Sequence, residues 1–411
     1  MAQRPPRISK RLRPKAGQDS EWVHEVRCDE CRSCDEVYRV ERAELEAFSA
    51  RVLASAGVPA DEAAVTARVL VAADLRGIAS HGVARLGRYL AGLKAGYIRP
   101  GIAFDVQRPA PAIATIDARN GIGQVAGEQA MDLALEMARD QGVGLVTVRE
   151  SNHYGIAGYY ALKAVEQRMV GLSMTNSAPL VIPTHGARAM LGTNPIAFGA
   201  PAARGWPLLL DMATSVVPRG KLEVYDRNGQ QMPVGWAVDE QGIDCQDPGR
   251  VLGNLIERIG GGILPLGGRG EEFSGYKGYG LALLVDVLCG VLSGSAFLDD
   301  VHNLKREVAP GEVAAPRVGH FFLALDAGRF MPIDRFEQRM DELAERLRDS
   351  PKAADQDAIL LHGEKEFRRT EENERDGIPI AANVMQTLLA IAADHGVAVP
   401  NCRQAGPEAS P

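Results

Sequence analysis

The 411-residue chain has no apolar run approaching the roughly 20 residues that a membrane-spanning helix needs. The longest, LALLVDVLCGVL (281–292), is interrupted by Asp286 and reads as a buried core helix. No membrane partner is expected. Positive charge is not in excess either. With 46 Lys and Arg against 53 Asp and Glu, the net charge is −7. The body of the chain therefore has no electrostatic bias toward nucleic acid. Cysteine is scarce: Cys245, Cys289 and Cys402 are scattered, which is no disulfide framework. The basic N-terminus lacks the apolar segment of a secretory signal. A reducing, cytoplasmic setting is the expectation. There is no internal repeat.

Hydrophobic residues at 45% and charged residues at 24% describe a globular protein. The length suits two or three domains of about 150 residues. Residues 1–39 read as an extension outside them. Positions 1–17 are basic and contain Pro5–Pro6, the texture of a disordered tail. CDECRSC (28–34) follows, with His24 just upstream. Thiolates at CxxCxxC spacing can converge on one ion, but a structural zinc site wants four closed ligands and no second cluster is present. The stretch is read as a redox-inert extension or an overlong start, and no metal is expected.

Residues 40–105 read as helical. VERAELEAFSARVLASAG closes at Gly57, and PADEAAVTARVLVAADLRG carries Asp61 and Glu62 in its first turn. SHGVARLGRYLAGLKAG (80–96) reads as a third helix, with Ser80 as N-cap and Gly96 just past its end. Residues 106–330 mix strands and helices: PAIATIDA, VGLVTVRES, VGLSMTNS, AMLGTNPIAFGAP and WPLLLDMATS are strand-like. Residues 331–400 are helical and charged again, and 401–411 read as a frayed tail. NGIGQVAG (120–127) imitates a dinucleotide fingerprint, but its spacing is not GxGxxG and no acidic residue about 20 positions on completes a βαβ unit. It reads as a tight turn feeding a helix, and an ordinary Rossmann fold is not expected.

Three constellations have chemistry to offer. His81, Arg85 and Tyr89 stand at i, i+4 and i+8, which on one helix would share a face. A guanidinium fork suits a substrate carboxylate. His153, in SNHYGIAGYY (151–160), lies between a strand and a helix. There the positive end of the helix dipole would keep the ring neutral and available as a base. Asp211 ends the strand LLLDM, and Lys277 sits between glycines in SGYKGYG (274–280). Taken singly, each of these also suits a solvated face, a satisfied junction histidine or an exposed loop lysine.

Taken in order, SHGVARLGRY, NGIGQVAG, SNHYGIAGYY, GTNPIAFGAP, DMATSVVPRGK, GWAVD, GYKGYGLALLVDVLCGVLSG and GEKEFRRTEENERDGIP resemble the malate/L-lactate dehydrogenase family that lacks the Rossmann fold. Ureidoglycolate, sulfolactate and diketogulonate oxidoreductases and cyclic imino acid reductases are among its members. The resemblance runs from about Val40 to Val399. It implies an α/β (α+β) fold: a central cofactor-binding domain with a largely antiparallel sheet, and a helical domain built from both chain ends. It implies a homodimer using NAD or NADP, NAD being favoured, on a small 2-hydroxy or 2-keto acid. His153 falls on the family's acid/base. Ser80, His81, Arg85 and Tyr89 fall on its substrate side. Ser177, Asp211, Met212, Ala213, Lys277, Arg339, Met340 and Gly363 fall on its cofactor positions. The alternatives are a cyclic imino acid substrate on the same fold, a pyridoxal phosphate enzyme using Lys277, and a non-enzymatic protein recruiting nucleic acid or metal through residues 1–39.

Overall fold

Strands from both chain ends meet in a small sheet. The computed structural model describes residues 37–405, so the basic tail and CDECRSC lie outside the described residues. β1 (Val37–Val40) leads into α1 (Arg42–Ser55), α2 (Ala60–Leu75) and α3 (Leu86–Ala95). A mixed region follows: β2 (Asp105–Ala110), β3 (Ile113–Asp117), α4 (Gly123–Gln141), β4 (Val143–Ser151), α5 (Ala157–Glu166), β5 (Val170–Thr175), β6 (Ile196–Ala200) and β7 (Leu208–Met212). α6 (Arg219–Arg227), β8 (Ala237–Val238), α7 (Pro248–Glu257), β9 (Gly262–Ile263), α8 (Gly275–Asp286) and β10 (Val318–Leu325) continue it. α9 (Ile333–Arg348), α10 (Glu364–Asp376), β11 (Ile378–Ala381), α11 (Ala382–His395) and β12 (Cys402–Ala405) complete the described chain.

The main sheet has the order β2-β3-β4-β10-β5-β6-β7, and only β3 and β4 run parallel. The largely antiparallel expectation holds. The small residues of α4 and α5 let both helices lie close on one face, where Met131, Tyr160, Val146 and Phe322 are buried together. The other face packs Met174 and Phe321 against Val285 and Cys289 from α8 and the turn after it. β10 runs between β4 and β5, and its His320 ties them. His320 Nδ1 is 2.7 Å from Thr175 Oγ1, and its Nε2 is 2.8 Å from Ser151 Oγ. The Tyr154 ring stacks on it at 4.5 Å and 2°. That clamp joins the ends of the two strands that lead to His153 and Ser177.

A second apolar cluster joins Leu45, Phe48, Leu70 and Leu86 to Ile378, Met385 and Leu388 from the far end of the chain. Four sequence readings need correction here. α9 does not pack with residues 40–105: Glu337 and Asp341 pair with Arg168 at 2.7 Å and Arg204 at 3.2 Å beside the main sheet. The expected frayed tail begins as a strand, because β12 pairs with β1 on the side opposite β11. The third helix is shortened: Ala79–His81 and Val83–Arg85 form separate single turns, and α3 starts only at Leu86. An extended Gly82 (φ −86°, ψ −152°) breaks the helix between them. Gly96 (φ 79°) does end α3 in the left-handed conformation, as expected.

The fourth concerns the run LALLVDVLCGVL. It is not fully buried. Leu284, Val287, Val291 and Leu292 are 44%, 45%, 55% and 58% exposed, and the helix widens into a π turn at Val287–Val291. Periodicity cannot separate burial within a chain from burial against another surface. Among the described residues, no helix is long and apolar enough to cross a membrane.

Candidate active site

The turn after β4 is held by its own side chains. Asn152 Nδ2 donates to the carbonyls of Asn120 and Gly121 at 3.0 and 2.9 Å. At Gly123, where α4 begins, a Cβ would lie 2.2 Å from the Asn152 carbonyl and 2.5 Å from that of His153. This is what the NGIGQVAG glycine is for: it lets α4 start against the histidine turn. The stretch is a packing feature, as its irregular spacing implied.

His153 lies four residues before the first residue of α5, so the helix dipole is not what keeps it neutral. Burial does that first, and the positive charges of Arg88 and Arg85 add to it, together with neighbouring His81; its pKa is held well below 6.5. Tyr89 Oη is 2.7 Å from His153 Nδ1, and the Gly155 N–H points at the same nitrogen from 3.3 Å. Burial pushes the Tyr89 phenol up to about 12, so it stays protonated. The His81 ring stacks on His153 at 5.6 Å and 23°. Burial, then Arg85 and Arg88, bring His81 down to about 4. Ser80 Oγ is 2.9 Å from His81 Nδ1 and caps no helix.

These residues border a cleft of about 680 Å³. Its lining includes His81, Arg88, Tyr89, His153, Ser177 and His302, and no acidic residue. An anion is the natural occupant. Ser177 lines it as well; its Oγ accepts from the Thr193 N–H at 3.1 Å. Arg85 does not line this cleft. Its Nε donates to the Ser80 carbonyl at 2.6 Å. His81 and Tyr89 are brought to this cleft together, and of the two arginines it is Arg88 that lines it. Arg88 stands inside the motif SHGVARLGRY, three residues after Arg85, off the i, i+4, i+8 spacing of His81, Arg85 and Tyr89. His302 had no local signal: it is a non-glycine residue at φ 57°, and burial, with Arg88, brings its imidazole down to about 4.

A second cleft, of about 410 Å³, lies on the other side of the same turn. His153 and Gly155 border the first, Ile156 and Gly158 the second. Asp211 and Gly363 line it, with Arg76 and His362. Asp211 accepts from the Gly158 N–H at 2.7 Å, and burial raises its pKa to about 6. Met212 ends β7 opposite Ile196, and Ala213 follows it, half-buried; neither is in the lining of either cleft.

Lys277, Arg339 and Met340 are not brought to either cleft. Lys277 is exposed at the start of α8, with Nζ 5.9 Å from the ring centre of Tyr276. A Schiff-base lysine needs a desolvated pocket, which this position does not provide. Arg339 is exposed and Met340 half-buried on α9, whose ion pairs face Arg168 and Arg204. Among the described residues, no group of three or more His, Cys, Asp or Glu is placed to hold a metal ion.

The family description malate/L-lactate dehydrogenase matches residues 40–389. This chain belongs to that family. It is 47% identical to the malate dehydrogenase of Pyrococcus abyssi over 364 residues, 88% of this chain and 97% of that one. It is 37% identical to the L-sulfolactate dehydrogenase of Methanocaldococcus jannaschii, over 84% of this chain and 94% of that one. The solved malate dehydrogenase of Pyrococcus horikoshii superposes with a TM-score of 0.79 at 43% identity, covering 88% and 97% of the two chains. The family member described here is therefore a hydroxy acid dehydrogenase by its relatives, which leaves the pyridoxal phosphate and non-enzymatic readings without support.

Proposed function

We propose that this enzyme interconverts a small 2-hydroxy acid and its 2-keto acid with NAD or NADP, with malate the first substrate to test. The observation that carries this is the acid-free cleft. In it, a histidine held neutral stands beside a phenol and an arginine, Arg88, that makes no ion pair among the described residues.

The two clefts suit a nicotinamide dinucleotide. Asn152 Oδ1, in the wall of the first, is buried without a donor, and Arg76 Nε, in the wall of the second, is buried without an acceptor. A ligand with an amide at one end, and further along an oxygen acceptor for Arg76 and hydroxyl donors for Asp211 and Glu366, satisfies both. Asn152 and Ser177 would hold the nicotinamide end, and Arg76, Asp211 and Gly363 the other. The bound cofactor supplies the hydride acceptor or donor. Arg88 fixes the substrate carboxylate beside His153. In oxidation, His153 Nε2 takes the hydroxyl proton. That requires the tautomer with its proton on Nδ1, donated to Tyr89 Oη at 2.7 Å, so that the longer approach of the Gly155 N–H at 3.3 Å is not a hydrogen bond in this state. In reduction the protonated ring returns the proton to the carbonyl oxygen. Tyr89 thus fixes both the plane and the tautomer of the base.

The test follows NADH and NADPH absorbance with oxaloacetate, sulfopyruvate, pyruvate and cyclic imines. Oxidation with a 2-keto acid is expected. Silence with every member, together with no cofactor binding by fluorescence, would overturn the reading.

The exposed apolar side of α8 and its π turn is larger than isolated surface leucines account for. We assign it to a second copy of this chain. Light scattering is expected to give a dimer mass, and Val291→Glu with Leu292→Glu to give a monomer. A monomeric parent protein would refute the assignment.

A further inference from the structure

We propose that Asp74, at the C-terminal end of α2, is a positioning residue that sets the turn carrying His81 against the cleft. Its carboxylate accepts from the Val83 N–H at 2.7 Å, across the gap between the two single turns. It is 5% exposed. Gly82 lies over it so closely that a Cβ would be 1.9 Å from Oδ1. No side chain other than hydrogen fits there. The hydrogen bond and the glycine together explain why the helix read from 80 to 96 breaks: the Val83 N–H goes to a side chain instead of a helical carbonyl. Burial pushes the Asp74 carboxyl up to about 7, opposed by that same N–H. A buried carboxylate at this cost needs a reason, and the turn it organises is the one that reaches His153.

The other end of the chain locks the same corner. Asn373, 1% exposed on α10, donates from Nδ2 to the Leu75 carbonyl at 2.9 Å. The final turn of α2 is therefore fixed from one side by α10, and it fixes the His81 turn from the other. Asp74 touches neither cleft and acts only through the backbone of 79–86.

The inference rests on the first cleft being the substrate site, and its test separates the two claims. Asp74→Ala and Asp74→Asn would be compared for KM with the keto acid, NAD(P)H affinity by fluorescence, melting temperature, and hydrogen exchange across 79–86. Asp74→Ala leaves a buried N–H without a partner. It is expected to raise KM about tenfold, to speed exchange in 79–86, and to leave cofactor affinity unchanged. Asp74→Asn keeps the volume and an acceptor, and is expected to restore most of the parent KM. Should Asp74→Ala fail to fold, Gly82→Ala carries the test, since its methyl displaces the same turn and the same rise in KM is expected. A lowered melting temperature with the parent KM and parent exchange would reduce Asp74 to a fold-stabilising role and overturn the proposal. If the parent protein turns over no keto acid, the substrate reading fails, while exchange in 79–86 still decides what Asp74 does.

Discussion

The His153→Ala protein is expected to lose roughly 10²–10⁴-fold in turnover while binding NAD(P)H as the parent does. The split follows from where the ring sits. Its Nδ1 is occupied by Tyr89 at 2.7 Å, and it stacks on His81. Removing the imidazole takes away proton transfer and leaves Asn152, Ser177, Arg76 and Asp211 in place. The pH profile gives a second reading of the same group. Burial and Arg88 depress its pKa, so the ring stays unprotonated until the pH falls well under 6.5. As the base of the oxidative direction, it must be unprotonated to work. The acid limb of kcat/KM for the free enzyme is therefore expected below pH 6.5, with activity lost as the pH falls through it. Parent-like turnover in His153→Ala, or an acid limb above pH 6.5, would remove His153 from the role of base.

Arg88→Ala is expected to raise KM for the acid by roughly 10–100-fold, the worth of one charged, two-pronged carboxylate contact. Arg88 rather than Arg85 is assigned this contact for two reasons. Arg88 lines the cleft, whereas Arg85 spends its Nε on the Ser80 carbonyl. Arg88 is also the strongest positive charge acting on His153, whereas Arg85 acts more on His81. The carboxylate of a 2-hydroxy acid is one carbon from the reacting hydroxyl, so it belongs beside the base. The same substitution removes a charge that depresses His153, and is expected to move the acid limb up toward 6.5. Arg88→Lys keeps the charge but loses the planar fork, so KM is expected to recover only in part. A larger KM effect in Arg85→Ala than in Arg88→Ala would reverse the assignment.

Local pattern was enough for much of the fold. The helices α1, α2 and α4 and the strands β3 to β7 stand where periodicity and glycine punctuation put them, because those signals act over one or two turns. The strand that joins the main sheet together was missed. VGHFFLAL, β10, lies between β4 and β5 and is buried on both faces, so it shows no alternation to mark it. β1, β11 and β12 are too short to stand out alone, and exist because each pairs with a strand from the opposite chain end.

The sequence by itself determined the family, through ordered motifs spanning nearly the whole chain, and with it the candidate base His153 and its neighbours His81, Tyr89 and Ser177. Only the tertiary structure decided which arginine lines the cleft, that His302 joins it, and that Asp74 bonds to the Val83 N–H while Asn373 bonds to the end of α2. The reason is physical. Motif spacing counts residues along an assumed helix, but here the Val83 N–H goes to the Asp74 carboxylate and the helix starts only at Leu86. Likewise, hydropathy marked 281–292 as apolar, but whether those side chains are buried depends on what packs around them. Six of them are exposed here and form the surface we assign to a second copy.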